Sequence, residues 1–145
     1  MDDISSFEKI TEPKVTTYNS DIAKSKAVEV VKEITQKLPD FGPDVEMTAH
    51  VEYTLTGTIY YNPNTYKISQ TLGPNRSKMK CFQVNTYNDE FNITTSNVNK
   101  GATIASNKLS ATFYFNNKII GESVTGAYST VVFGDADTSF TISAD

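Results

Sequence analysis

The clearest pattern in the chain is a strict alternation of apolar and polar residues that opens at Met47. From Met47 to Leu55, apolar side chains occupy every second position, with threonine, histidine and glutamate between them. A period of two residues is typical of a strand with one face buried and the other in water. Similar alternation, punctuated by Gly, Asn and Pro, continues to the last residues. The pattern therefore predicts a mainly antiparallel β protein.

About eight strands are predicted after residue 45, joined by short connections. They are 45–61, 66–72, 78–87, 91–95, 108–115, 118–124, 127–133 and 139–144, with 102–105 as a further short strand after a polar stretch at 97–101. Turns are predicted at 62–65, 73–77, 88–90 and 116–117, where Asn, Pro and Gly concentrate. This number and spacing of strands favours an antiparallel β-sandwich over a closed barrel.

Residues 20–38 follow a different period and predict one N-terminal amphipathic helix. The apolar positions that share a helical face are Ala23, Ala27, Val30, Val31, Ile34 and Leu38. Pro39 would end this helix, and a lone amphipathic helix must bury its apolar side against the sheets. Residues 1–18 show no sustained period and are predicted to be a flexible or edge segment. Residues 19–145 then form a single globular domain, a size that one core can support.

Net charge and composition limit the classes of binding partner that we expect. The net charge is -4, and Arg76 is the only arginine among 13 basic residues. Because arginine makes most bidentate phosphate and base contacts, nucleic acid is excluded as the expected partner. No stretch is long and apolar enough to predict a transmembrane segment.

The same composition bears on the location of the protein. Frequent Thr, Ser and Asn together with no Trp are typical of secreted and surface β domains of bacteria. The first residues, Met1-Asp2-Asp3, lack the basic and apolar regions of a signal peptide. We therefore expect a mature extracellular or cell-surface domain that begins with an added methionine. The alternative is a cytoplasmic protein.

Candidate catalytic residues are few. His50 is the only histidine, and the alternation places it on the polar face of its strand, where an exposed histidine is the simpler interpretation. Cys81 is the only cysteine and is predicted to be a small buried residue rather than a reactive thiol. With no nucleophile or paired carboxylates at a defined spacing, we predict no catalytic residue, no cofactor and no enzymatic activity.

Two binding sites are predicted. Tyr60, Tyr61 and Tyr66 cluster around the turn at 62–65, where aromatic rings could stack on a sugar or anchor a protein; the alternative is packing within the sheet. Oxygen ligands at Asp135, Asp137 and Ser139 could converge on a cation such as calcium. That spacing lacks the complete calcium-loop signature, and its alternative is a plain turn before the last strand.

Several short motifs resemble small secreted β-rich proteins of unknown function from Gram-positive bacteria. They are Tyr61-Asn62-Pro63-Asn64-Thr65 followed by Ile68, the Gly73-Pro74 pair, and Phe140-Thr141-Ile142 near the end. The resemblance spans residues 45–145 and implies an extracellular β-sandwich without naming an activity.

The function predicted from these observations is a non-catalytic binding module for a glycan, a cell-wall polymer or a protein. The first alternative is a structural or inhibitor-like protein that pairs an exposed strand edge with a partner chain. The second alternative is a small hydrolase that uses His50 with carboxylates such as Asp135 and Asp137.

Overall fold

The computed structural model describes residues 21–37, 46–84, 91–124 and 130–145 with their side chains, Val98 excepted, and residues 3–15 through their backbone. Its strands are β1 Asp3–Val15, β2 Ile22–Lys37, β3 Glu46–Tyr61, β4 Ile68–Gln83, β5 Phe91–Ile104, β6 Ser110–Ser123, β7 Val131–Asp135 and β8 Thr138–Ser143. The predicted β class and the antiparallel pairing are confirmed. The described residues form eight strands, but β1 and β2 precede residue 45 and six strands follow it, where eight were predicted.

The strands form two antiparallel sheets that face each other. The first sheet has the order β1-β2-β3-β4. In the second, the long strand β6 lies at the centre, with β5 along one side and β7 and β8 end to end along the other. One continuous hydrophobic core draws side chains from both sheets, which makes the arrangement two-layered.

The segment predicted as a helix is a strand instead. Residues Ile22–Lys37 form β2, which pairs with β1 on one side and with β3 on the other. The inward positions of β2 alternate strictly, but Lys26 and Lys32 occupy two of them, which hides the period of two in the sequence. Valine, isoleucine and threonine are frequent here, and such β-branched residues favour strands. Residues 20 and 38 of the predicted helix lie outside the described residues.

Three predicted interruptions lie inside long strands. Residues 73–77 belong to β4, residues 97–101 to β5 and residues 116–117 to β6. Register shifts take the place of the predicted turn at 73–77 and of the predicted polar break at 97–101, since extra residues are absorbed as bulges in the β3–β4 and β5–β6 pairings. Gly73 has a φ of 98°, and a Cβ there would lie 2.6 Å from the Thr56 carbonyl oxygen, so only glycine fits this bulge. The predicted turn at 88–90 lies outside the described residues.

The core between the sheets is closely packed around aromatic rings of β6. Phe113 is fully buried and stacks on Phe140 of β8 with ring centroids 5.2 Å apart. Its ring reaches across to the first sheet, where a Cβ on Gly57 would lie only 2.8 Å from Phe113 Cδ2. Gly57 therefore brings the backbone of β3 against the opposite sheet, an approach that any side chain would obstruct.

A polar contact inside this core ties β3 to the second sheet. The Tyr53 hydroxyl donates to the Ala136 carbonyl at 3.1 Å, and the Asn117 side-chain amide donates to the Tyr53 hydroxyl at 3.3 Å. The backbone of Asn117 in turn accepts from the Ala136 amide at 2.9 Å. Asn117 is completely buried at the middle of β6, so the two-residue hairpin turn predicted at 116–117 is wrong. Buried polar groups of this kind favour one alignment of the sheets over others.

Side chains of the first sheet form hydrogen bonds with backbone groups on both sides of the second sheet. On one side, the Lys24 and Lys26 ammonium groups donate to the carbonyl oxygens of Ser143 and Thr141 on β8, at 2.7 and 3.0 Å. On the other side, the Gln83 side-chain oxygen accepts from the amide of Phe91 on β5 at 2.8 Å. Lysines and side-chain bonds at sheet edges hinder the addition of a further strand.

Candidate functional site

The three tyrosines predicted to bind a ligand do not share one surface. Tyr61 is buried in the core, and the exposed ring of Tyr66 stacks on it with centroids 6.3 Å apart. Tyr60 lies on the opposite face of β3, because successive residues of a strand point to opposite sides. Tyr66 has a φ of 60°, an unusual backbone conformation for a bulky residue. The structure thus brings together Tyr61 and Tyr66 but leaves Tyr60 apart.

The predicted metal ligands are spread along one strand direction. Asp135 lies opposite Lys118 of β6, and Ser139 lies opposite Tyr114. Four residues of β6 separate these positions, which is about 13 Å at roughly 3.3 Å per residue. Oxygen ligands of calcium lie about 2.3–2.6 Å from the ion, so Asp135 and Ser139 cannot share one. Among the described residues, no group of three or more His, Cys, Asp or Glu side chains is placed to hold a metal ion.

His50 is placed differently from its predicted environment. It lies on the outer face of the first sheet, as the alternation indicated, but its side chain is only 14% exposed. Register across the sheet puts it between Glu33 of β2 and Phe82 of β4. Its Nδ1 lies 3.0 Å from a Glu33 carboxylate oxygen, and its Nε2 lies 3.0 Å from a Glu52 carboxylate oxygen. The imidazole is therefore held on both sides by carboxylates.

The pKa values in this cluster reflect that arrangement. Burial lowers the pKa of His50, but the hydrogen bonds to Glu52 and Glu33 and the charges of both carboxylates outweigh it and raise the pKa above 6.5. The hydrogen bond from His50 lowers the pKa of Glu52, and the Lys80 charge acts in the same direction. Both shifts favour an imidazolium between two carboxylates.

Phe82 rests on this histidine. The two rings are stacked with centroids 4.7 Å apart and planes 22° from parallel. The Lys80 ammonium lies 5.6 Å from the centre of the Phe82 ring. Phe82 nevertheless stays 41% exposed. The Phe82 ring thus contacts the outer face of the sheet through His50, while another part of the ring faces solvent.

Phe82 also borders a cleft where the end of β4 meets the start of β5. The cleft has a volume of about 580 Å³ and is lined by Cys81, Phe82, Gln83, Phe91, Asn92, Ile93 and Thr94. Its walls are joined by hydrogen bonds, since the Cys81 thiol donates to the Ile93 carbonyl at 2.7 Å and Gln83 accepts from the Phe91 amide. We call the exposed ring and this lining the Phe82 cleft.

Cys81 is not activated by its position in the cleft. It is partly buried, as predicted, and packs against the core. Burial raises the pKa of its thiol, and the charge of Arg76 offsets that only in part. A thiol with a raised pKa is a poor nucleophile at neutral pH.

Sequence reasoning missed Glu33, Phe82 and the whole β5 side of the cleft. Glu33 lies within the segment predicted as a helix, so the sequence does not predict its place beside His50. Phe82 carried a usable signal, because it lies one residue out of phase with the partly buried Cys81 and Gln83. Phe82 shares the outward face of its strand with Lys80, and this position indicates an exposed ring.

Comparison of the chain with known protein families, with curated proteins and with solved structures finds no match. Across the residues that the structure describes, no helix is both long and apolar enough to cross a membrane.

Proposed function

We propose that this protein is a non-catalytic binding module that holds a neutral, hydroxyl-rich ligand, such as a segment of a glycan or of an uncharged wall polymer, in the Phe82 cleft. The observation that carries the proposal is the exposed ring of Phe82, fixed by His50 at the border of a cleft of about 580 Å³. Ligand sites of this size combine an apolar surface with a few polar groups that orient the ligand.

The lining of the cleft supports a sugar over other ligands. Sugar rings have apolar faces that stack on aromatic side chains and hydroxyl groups that bond to amides and alcohols. The lining of the Phe82 cleft combines the aromatic residue Phe82 with the polar residues Asn92 and Thr94. None of its described lining residues carries a formal charge, which favours a neutral ligand over an anionic one.

Strand-edge pairing has less support. Among the described residues, β4 is an edge strand, and it contains Pro74, three register shifts against β3 and the lysines at 78 and 80. Such features oppose the addition of a partner strand. The outer strands of the second sheet are partly occupied by side chains of the first, as described above.

A hydrolase built on His50 also has little support. A histidine that activates a nucleophile bonds a carboxylate through one nitrogen and leaves the other nitrogen for the nucleophile. Here both nitrogens of His50 bond carboxylates, so neither is available for a serine or cysteine.

An extracellular location fits this function. The outer face of β3 carries Thr48, Thr54, Thr56 and Thr58, a hydroxyl-rich surface of the kind associated with secreted β domains. We propose that the protein acts outside the cell or at its surface.

The test is binding to an array of neutral and acidic oligosaccharides, followed by calorimetry on the strongest neutral ligand. Replacing Phe82 with alanine should weaken binding by at least about tenfold, the loss typical of a central aromatic contact. Leu72→Ala is the matched control, because Leu72 is a 52% exposed apolar residue on the same strand, opposite Thr58 rather than His50.

Tyr66→Ala completes the set by testing the aromatic residue at the other end of the sheet. If Tyr66→Ala abolishes binding while Phe82→Ala does not, the ligand site is at the turn after β3 and the proposal is wrong. An absence of neutral ligands on the array would also contradict it.

A further inference from the structure

The Glu33–His50–Glu52 cluster does more than hold the Phe82 ring in place. Its geometry favours one protonation state of the His50 imidazole. Each nitrogen of His50 lies 3.0 Å from an oxygen of a different carboxylate. Only the imidazolium donates from both nitrogens, whereas neutral imidazole has one donor and one acceptor. After loss of the proton, one ring nitrogen would present its lone pair to a carboxylate oxygen, and these two acceptors repel.

The stack on Phe82 depends on the same proton. A cation over an aromatic face is attracted by the negative charge density of the ring, and this attraction is lost when the cation becomes neutral. The stacked geometry of His50 and Phe82, at 4.7 Å, is therefore strengthened by protonation.

The charged groups around His50 come from three strands. Glu33 faces it from β2 and Glu52 from its own strand, while Lys80 on β4 lies opposite Glu52. The two carboxylates lie on the imidazole nitrogens, whereas Lys80 interacts with Glu52 and with the Phe82 ring. Histidine is the one residue type in this set whose ordinary pKa lies near neutral pH, so His50 is the group on which a pH dependence would rest.

We infer that the Glu33–His50–Glu52 cluster makes binding at the Phe82 cleft depend on pH, with Phe82 held against a protonated His50 and released when that proton is lost. This inference rests on the proposed function, since it assigns a means of regulation to the same site. Affinity should be higher in mildly acidic than in mildly alkaline surroundings. A surface-bound module would then hold its ligand in acidified surroundings and release it as the pH rises.

Nuclear magnetic resonance tests the coupling without any ligand. The chain has one histidine, so a single set of imidazole signals can be followed from pH 5 to pH 9. The nitrogen shifts should show both ring nitrogens protonated at the acidic end, and the Phe82 ring signals should move with the midpoint of the His50 titration. In a Glu33→Gln and Glu52→Gln double variant, the midpoint should fall to a lower pH. Phe82 signals that stay constant while His50 titrates would overturn the inference.

The second measurement is the affinity for the strongest neutral oligosaccharide from the array, taken at pH 6.0 and pH 8.5. Wild-type protein should bind about two- to fivefold more weakly at the higher pH, the range expected for loss of one exposed cation–π contact. His50→Gln should bind with the same affinity at both values, and Leu72→Ala should keep the wild-type dependence.

The outcomes separate the two proposals. If Phe82→Ala loses binding but wild-type affinity is the same at both pH values, the pH dependence is wrong and the binding site stands. If the Phe82 signals follow His50 but no neutral oligosaccharide binds, the proposed function is wrong, and with it the pH-dependent binding, although the coupling of the two rings stands.

Discussion

Gly57 provides the sharpest test of how the two sheets pack. A Cβ at this position would lie 2.8, 2.9 and 3.0 Å from three atoms of the Phe113 ring. Carbon atoms in contact are normally about 3.5–4.0 Å apart, so Gly57→Ala requires movement of roughly half an ångström or more. The ring cannot swing aside, because Phe113 is completely buried and stacked on Phe140. We therefore expect the substitution to strain the contact between the sheets.

The expected cost follows from two opposing contributions. Overpacking a well-filled core costs about 1–3 kcal/mol. By itself, replacing glycine with alanine inside a strand raises the free energy of unfolding by about 0.5–1 kcal/mol, because alanine loses less backbone entropy on folding. These contributions differ by about 0–2.5 kcal/mol. Because three ring atoms lie within 3.0 Å of the added Cβ, overpacking falls in the upper part of its range, and the net loss in the free energy of unfolding should be about 1–2 kcal/mol. That loss lowers the Tm of a domain of this size by about 3–6 °C.

Urea denaturation of Gly57→Ala, with Gly101→Ala as the control variant, measures this cost. A Cβ on Gly101 would also meet a ring, with Tyr114 Oη at 2.5 Å, but Tyr114 is only half-buried and can turn outward. Gly101→Ala should therefore not lower the free energy of unfolding by more than about 0.5 kcal/mol. In a Phe113→Leu background, Gly57→Ala should cost less than in the wild type, because the two sites are in contact. Equal stability of Gly57→Ala and wild type would refute the packing described here.

Two further predictions concern polar groups. Tyr53→Phe should lower the free energy of unfolding by about 1–3 kcal/mol, because it removes the hydrogen bond to the buried Ala136 carbonyl and the acceptor for Asn117. In urea denaturation, Tyr60→Phe on the outer face should cost clearly less, and equal losses would argue against the buried contact. The stability contributed by His50 should be complete below about pH 6.5 and disappear as the pH rises through its raised folded-state pKa, because the folded protein binds this proton more tightly. The difference in free energy of unfolding between wild type and His50→Gln should therefore shrink from pH 6.0 to pH 8.5, and a difference that grows would contradict the assignment.

The sequence predicted the β class because most inward positions keep their apolar residues. Every second residue from Met47 to Tyr61 is buried, and Ala111, Phe113 and Phe115 face the core as the pattern of β6 indicated. The prediction was wrong where an inward position holds a polar residue with a distant partner. Lys26 reaches a carbonyl of β8, and Asn117 bonds Tyr53, contacts between residues 115 and 64 positions apart in the chain. Such partners are set by tertiary structure, which local periodicity does not report.

The candidate site could not be assembled from the sequence for a related reason. Glu33, His50 and Phe82 become neighbours only through the register of three adjacent strands. Once Ile22–Lys37 is assigned to a helix, no register can bring Glu33 beside His50. The predicted groups at Tyr60, Tyr61 and Tyr66 and at Asp135, Asp137 and Ser139 were chosen by closeness in sequence. In a strand, residues that are adjacent in sequence point apart and residues four positions apart are distant, so closeness in sequence is a poor guide to a shared site.

The two β2 lysines that bond to the backbone of β8 have a consequence for the protein at high concentration. Fibrils grow when the backbone of one molecule hydrogen-bonds to a free backbone row of the next, and the last strand of a chain is an obvious place to start. A strand of another molecule that added to β8 would have to displace the Lys26 and Lys24 ammonium groups, which already bind the carbonyls of Thr141 and Ser143. Lys24 and Lys26 thus give a sheet-rich chain without disulfides a built-in resistance to ordered aggregation.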